Sequence, residues 1–387
     1  MVALFPCPVA YGICFVTQDN GMRKFLVFAF LMVVVVGAGF YYYMETQYPT
    51  DIRMTSDEFK QSTKHGVFTI QPNYTAMVDE DDERYITLKL FGVIPVRRMR
   101  VELLPFDRVY AGGHLVGFFA DVDGLIVTRD HSKDLRMGDV ILVDSIAEWE
   151  KLVNNATDNI EFQIMRNGNT KRVKIPVTEP LGLLLKSEST GIGTVTYINP
   201  ENKNFATLGH RLNDFETGAS FDVRGGTIHT SNIIGIERSE SGTVGKFRSV
   251  IKREYGAQGE ISSSNMAGVF GCLYAQSGFL RDTDEMGVGS RFFTKPGRAT
   301  LRTTIDELGP QDFDIEIIKT RFQRKASQKS MIVRITDQRL LDATGGIIHG
   351  MSGSPIIQDG KIVGALTHVT LEDVTKGYGI YLDFILP

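Results

Sequence analysis

From Phe25 to Met44 the chain runs FLVFAFLMVVVVGAGFYYYM, twenty residues without a charge. Twenty helical residues rise about 30 Å, the thickness of a bilayer's hydrocarbon core. Arg23 and Lys24 stand directly before the run. This pattern predicts a transmembrane anchor or uncleaved signal over 25–44, because no A-x-A-like cleavage site follows it. The two basic residues favour a cytoplasmic segment 1–24 and an exported remainder. Tyr41, Tyr42 and Tyr43 fit the far interface, where aromatic rings collect. Residues 1–21 read neither as a folded unit nor as a basic leader, whereas Met22 with Arg23 and Lys24 reads as an ordinary start for an exported protein.

Beyond the anchor, residues 45–102 divide into a polar juxtamembrane spacer to about 85, with the acidic run Asp79 to Glu83, and the alternating segment YITLKLFGVIPVRRMRVELLPF. The spacer reads as an exposed arm, and the alternation predicts strands with a turn or edge at Pro95. Residues 103–177 read as strands, then a helix in IAEWEKLVNNA, then a hairpin turning on Asn167-Gly168. This order resembles a PDZ domain, which binds peptide termini by adding them as an extra strand. The resemblance implies ligand contacts at Gly117 and Phe118. From 178 to 387 short β-like runs alternate with Gly, Asn and Ser, and long helical periodicity is scarce. That pattern predicts an all-β domain, and about 200 residues accommodate a double β-barrel. The expected fold is mainly β: a small α/β lobe, then the barrels.

Composition narrows the chemistry. The formal charge is −4, with 42 Lys and Arg against 46 Asp and Glu. A nucleic-acid binder needs a concentrated positive field, so that class is not expected. Cys7, Cys14 and Cys272 form no CxxC pair, and Cys272 is alone in the exported part. No metal site, cofactor or disulfide framework is predicted.

The sharpest motif is GMSGSPI at Gly350 to Ile356. A nucleophilic serine needs an exposed oxygen on a tight turn and amide N–H groups facing the developing oxyanion. Ser352 meets the first need. Gly350 allows the second, with its own amide and that of Ser352 as donors. The plain alternative is a turn joining two strands. The continuation IIQDGKIVGALTHV supplies a hairpin at Asp359-Gly360 and a strand for the substrate backbone at Gly364, Ala365, Leu366, Thr367 and His368. Ser354 is the weaker nucleophile, lying past the glycine. His210, in FATLGHRLND, leads the candidate bases, with His349, His368 and His229 behind it. Asp337, Asp342 and Asp214 are the candidate carboxylates for orienting the imidazole.

With these residues in view, the chain resembles the SpoIVB peptidases of endospore-forming bacteria. The resemblance rests on LFGVIPV, GIGTVTYINPENKNFATLGH, KSMIVRITD, TGGIIHGMSGSPIIQDGKIVGALTHV and KGYGI. It implies a PDZ domain followed by a chymotrypsin-like serine peptidase, with a triad of His210, Asp337 and Ser352. Asp337 lies only 15 residues before Ser352, an unusually close spacing for that fold. The resemblance further implies self-processing and cleavage of a membrane-anchored regulator of an intramembrane protease, leading to activation of a late mother-cell sigma factor. It places the chain at the forespore membrane, facing the intermembrane space. The competing expectation is a non-catalytic PDZ-containing scaffold at the same interface.

Overall fold

A computed structural model describes residues 20–61, 63–65, 68–72, 84–130, 132–177, 184–214, 216–281, 284–321 and 323–387. The chain divides into two compact units, residues 1–48 and 49–387. The first holds α1 (Asn20–Gln47), a continuous helix. Its span Arg23–Thr46, of mean hydropathy 2.3, is long and apolar enough to cross a membrane. Val33 to Val36 are poor helix formers in water, but in lipid a helix is the way a single segment satisfies all its backbone polar groups. Cys7 and Cys14 lie outside the described residues.

The second unit opens with β1 (Asp51–Met54), the short helix α2 (Ser56–Phe59), β2 (Thr63–His65), β3 (Phe68–Pro72), β4 (Arg84–Leu90) and β5 (Ile94–Leu103). They form a sheet in the order β1-β5-β4-β3-β2, with β1 parallel to β5. The register slips beside Pro95, which faces Lys89, so this proline sits at a bulge. Within 51–72, β1, β2 and β3 are therefore built into a sheet, with α2 between β1 and β2, which corrects the expectation of an exposed arm there. Their alternation is the reason: Ile52 and Met54 are each 1% exposed. Polar groups then fasten the segment. Arg53 donates to the carbonyls of Asp383 and Leu386 at 3.1 and 2.9 Å. Buried Glu58 accepts from the Ser290 amide at 3.0 Å. Asp383 pairs with Arg291 at 3.1 Å. Burial pushes the Asp383 carboxyl up to about 6, with Arg291 and Arg53 opposing. The acidic run Asp79 to Glu83 lies outside the described residues.

Next come β6 (Arg108–Ala111), the long β7 (Leu115–Val127), β8 (Val140–Ile141), α3 (Ile146–Asn155), β9 (Asn159–Arg166) and β10 (Asn169–Pro176). Ser145 caps α3 by accepting from the Glu148 amide at 3.1 Å. The helix buries Trp149 against Phe162, and Leu125, Ile164 and Val173 complete this small core. The expected hairpin turns on Asn167 and Gly168, both at positive φ.

Strand β7 does not stop at this lobe. Downstream lie β11 (Leu185–Ile198), β12 (Asn204–Thr207), β13 (Val223–Glu237), β14 (Lys246–Ile251), β15 (Gly259–Asn265) and β16 (Gly268–Leu273). Pairings run β7–β11–β12–β16–β15–β13 and back to β7, closing a six-stranded antiparallel barrel. Phe118, Phe205, Phe221 and Val269 fill it. After β17 (Glu285–Val288) a second ring follows. It contains β18 (Gly297–Thr304), β19 (Pro310–Thr320), β20 (Met331–Ile335), then past α4 (Gln338–Thr344), β21 (Pro355–Gln358), β22 (Lys361–Val369) and β23 (Lys376–Tyr381). These pair as β18–β19–β20–β23–β22–β21 and back to β18. Closure leaves neither ring a continuous edge.

The double barrel is the architecture expected from sequence, with one difference. The first barrel takes β7 from residues expected to form a separate PDZ-like lobe. Strand addition needs a free edge. Gly117 faces Ile192 on one side and His229 on the other, and Phe118 faces Gly191 and Ile228. The Phe118 ring is buried inside the barrel. The assignment of Gly117 and Phe118 as peptide ligands is thereby corrected: both flanks are already paired.

Candidate active site

Helix α4 delivers the nucleophile turn. Gly345, in the left-handed region, ends the helix by donating to the Leu341 carbonyl at 2.8 Å. Ile347 and Ile348 then plug into the core of the second barrel. Gly350 and Gly353 have φ of 105° and 96°. A Cβ on Gly353 would lie 2.0 Å from the Thr194 carbonyl, and one on Gly350 would lie 2.5 Å from the Phe247 ring. Only glycine fits either place. Ser352 is partly exposed between them, while Ser354 is fully buried, so Ser352 is the more accessible of the two hydroxyls.

Strand β11 clamps this turn by its carbonyls. The Thr194 amide donates to the Ser352 carbonyl at 2.9 Å. The hydroxyls of Thr194 and Thr196 donate to the carbonyls of Gly350 and Gly353, each at 2.8 Å. In a trans peptide unit the C=O and the following N–H point in opposite directions. The His349 carbonyl accepts from the Phe247 amide at 3.2 Å, so the Gly350 N–H points away from β14. The Met351 carbonyl accepts from the Ser354 amide at 3.0 Å, which turns the Ser352 N–H away from Ser354. An oxyanion site needs donors held in fixed peptide planes, and these carbonyl hydrogen bonds fix the two planes that carry the candidate amides. The two threonines stand within GIGTVTYINP, and their i, i+2 spacing on one strand was the available signal for a shared task.

His210 and Ser352 line one cleft of ≈ 320 Å³, together with His349, Gly350, Leu208 and Leu212. Leu208 and Leu212 belong to the core of the first barrel, and the serine turn adjoins the second, so the cleft lies where the barrels meet. His210 Nδ1 is 2.7 Å from the Arg211 carbonyl. A carbonyl only accepts, so Nδ1 carries the proton and Nε2 is left as the base. Burial lowers the His210 pKa, and the nearby His349 lowers it further against the Arg211 hydrogen bond. The His368 ring lies 5.3 Å from that of His210, and burial takes its pKa down to about 4. Both imidazoles are thus neutral at pH 7. Ser352 Oγ donates to the Thr367 carbonyl at 2.9 Å rather than to His210, so the resting serine must rotate about its Cα–Cβ bond to act.

The remaining candidates fall elsewhere. Asp337 is not brought to His210. It is the N-cap of α4, and its oxygens accept from the Arg339 amide at 2.9 Å, the Arg339 guanidinium at 2.7 Å and the Asp314 amide at 3.1 Å. The Arg339 side chain holds its carboxyl below the usual range. In this structure the partner of His210 Nδ1 is the Arg211 carbonyl. Asp342 accepts from Gln338 on the exposed face of α4. Asp214 borders the cleft, but Lys186, Ser189 and Thr217 occupy its oxygens. His229 bonds Thr227 at 3.0 Å and packs on Phe119. The strand expected to hold substrate is also corrected. Gly364 and Ala365 pair with β21 on one flank and β23 on the other, and Leu366 binds Gly353 and Ser354 opposite Gly379. Thr367 and His368 remain beside the site, through the Ser352 hydrogen bond and the imidazole pair.

Twin six-stranded barrels meeting at a serine turn, with an imidazole across the cleft, are the build of a chymotrypsin-like serine peptidase, a hydrolase of peptide bonds. The family comparison agrees: the family model SpoIVB peptidase S55 matches residues 178–386, more than half of the chain. This protein belongs to that family of sporulation serine peptidases. Comparison with curated proteins and with solved structures gives no match. The matched region leaves out β7, which the first barrel needs to close. The scaffold alternative is set aside by the family assignment.

The lowered His210 pKa has a kinetic consequence. The base must be neutral to accept the serine proton, so kcat/KM falls as pH drops through its pKa. The acid limb is expected at a midpoint below about 6.5, the unperturbed imidazole value. A midpoint at or above about 7 would count against a buried imidazole as the base.

Proposed function

We propose that this peptidase, held in a membrane by α1, processes itself and cleaves a membrane-associated regulatory protein during sporulation. Release of an intramembrane protease and activation of a late mother-cell sigma factor would follow. The observation that supports the catalytic reading is the cleft that a partly exposed Ser352 shares with His210, beside a turn held by hydrogen bonds to its carbonyls. The direction of insertion is supported by Arg23 and Lys24 before the helix, a pattern that favours an exported peptidase unit. In a sporulating cell that side is the space between the forespore and mother-cell membranes.

The chemistry is acyl transfer. Ser352 Oγ leaves the Thr367 carbonyl and attacks the scissile carbonyl carbon, and its proton passes to His210 Nε2. The oxyanion meets the amides of Gly350 and Ser352. Collapse breaks the C–N bond, and His210 returns the proton to the leaving amine. A water then gives its proton to His210 and attacks the ester, freeing the acid and restoring the serine. The Arg211 carbonyl holds the ring throughout and stabilises the imidazolium by accepting its Nδ1–H.

A fluorophosphonate probe tests this directly. On the full chain in detergent, Ser352 Oγ is expected to bond to phosphorus and expel fluoride, adding one probe per chain. The Ser352→Ala chain is expected to stay unlabelled. A folded wild-type chain that takes no label would overturn the catalytic reading.

A further inference from the structure

The motif LFGVIPV forms the tip of the β4–β5 hairpin. Leu90 faces Ile94, and Phe91, Gly92 and Val93 make the turn between them. Phe91 is 70% exposed, Val93 76% and Ile94 54%. Beyond α1, other large apolar side chains more than half exposed, such as Ile234, Tyr255 and Leu308, stand singly, which is ordinary on a protein surface. Here three crowd one turn. Phe91 and Gly92 have φ of 52° and 75°, the same angles as Asn167 and Gly168 in the β9–β10 hairpin. Asn-Gly is the usual choice for such angles, and a bulky residue rarely enters the left-handed region. The fold thus holds an aromatic ring in water, in a conformation that disfavours it, where a polar residue would close the turn more easily.

The path of the chain sets where this tip points. Strand β1 runs parallel to β5, with Asp51 level with Arg100. The chain therefore enters the sheet from the tip side, and the Pro49 carbonyl accepts from Arg97 at 3.3 Å on the way in. Ile94 lies three residues beyond Arg97, about 10 Å further along the strand. The apolar span ends at Thr46, and the three residues from there to Pro49 reach at most about 10 Å. The exposed turn is thus at the end of the sheet where the chain arrives from the anchor. Charge follows the same hairpin. Strands β4 and β5 carry Arg84, Lys89, Arg97, Arg98 and Arg100 against one acid, Glu102, in a chain whose net charge is −4. The register sets Lys89 against Pro95, Thr87 against Arg98 and Tyr85 against Arg100, so Lys89, Arg98 and Arg100 share one face.

We infer that the β4–β5 hairpin is a second membrane contact: Phe91, Val93 and Ile94 enter the interface of the anionic bilayer that holds α1, and the basic residues behind them meet lipid phosphates. An apolar tip with a cationic shoulder is the pairing that an anionic lipid surface attracts. The inference rests on the membrane anchoring of α1 proposed above and goes beyond it. One helix limits how far the peptidase unit can stray from the bilayer but leaves it free to rotate; a second contact fixes which face it turns to the lipid.

The test places a reporter at the tip by Phe91→Trp in the full chain, reconstituted in vesicles of equal parts phosphatidylcholine and phosphatidylglycerol. The chain's one native tryptophan, Trp149, is buried against Phe162, so the wild-type spectrum supplies the background. When the lipids carry bromine on the upper acyl chain, the added emission is expected to lie to the blue and to fall at least about twofold, as for a side chain about 5–10 Å into the interface. Adding Val93→Asp and Ile94→Asp is expected to return the emission to the red and abolish the quenching, with fluorophosphonate labelling at the wild-type rate. Red, unquenched emission from the Phe91→Trp chain would put the tip in water and overturn the inference. Blue emission without quenching would assign the tip to a protein surface, a partner or a second copy, and overturn it equally. Quenching that survives the two aspartates would also overturn it. Flotation of the vesicles separates the two readings: a chain that floats without quenching loses only this contact, whereas one that fails to float strikes the anchoring by α1 and the inference with it.

Discussion

Ser352→Ala is expected to reduce peptide-bond hydrolysis by roughly 10⁴–10⁶-fold, the loss typical when the nucleophile of such a unit is removed. Self-processing of the purified chain, followed by mass spectrometry, is the measurement. The fold should be nearly indifferent to the change. The hydroxyl is partly exposed and makes one hydrogen bond, to the Thr367 carbonyl at 2.9 Å. Its removal costs on the order of 1 kcal/mol, and the residue's clamped carbonyl stays in place. An inactive variant with an almost unchanged melting temperature is the expected pair of results. Persistent processing by purified Ser352→Ala protein would show that another group does the chemistry; Ser354, fully buried, would not be the replacement.

His210→Ala is expected to have a comparable effect, about 10⁴-fold or more in kcat, while Asp337→Asn is expected to keep activity within about tenfold. The contrast follows from where the two side chains sit. His210 shares the cleft with Ser352 and is fixed in its tautomer by the Arg211 carbonyl. Asp337 caps α4 and is bonded to Arg339 and to the Asp314 amide. Asparagine is as good an N-cap as aspartate, so the helix that delivers the serine turn survives the exchange. Were Asp337 instead the carboxylate of a catalytic triad, the amide would disturb the imidazole tautomer and cost about 10⁴-fold. Comparing kcat for Asp337→Asn with that for Asp337→Ala separates the roles: a capping residue is rescued by asparagine, a triad member is not.

The parts legible in the sequence share a property. The serine turn was readable because Gly350 and Gly353 are required by backbone geometry within a few residues of the hydroxyl. The Asn167-Gly168 hairpin and the helix start at Ser145 are local in the same way. The apolar span 25–44 needs no partner to be recognised, and the helix α1 contains it. The barrels were legible as a class, since Gly-punctuated short strands have few other ways to bury one face each. His210 was one imidazole among several until the cleft joined it to the serine.

What residue order alone determined, then, was everything decided by a handful of neighbouring residues: a helix able to cross a lipid layer, short strands bound for closed sheets, and a bend that exposes one hydroxyl. What only the tertiary structure decided was which edges stay open and which groups meet. Strand β7 joined the first barrel because β11 and β13, far downstream, pair with its two flanks. Asp337 went to a helix cap, and β22 was enclosed by β21 and β23. The physical reason is that a strand's hydrogen-bonding partners lie across space, so its alternation reveals the face it buries but not the neighbour on either flank.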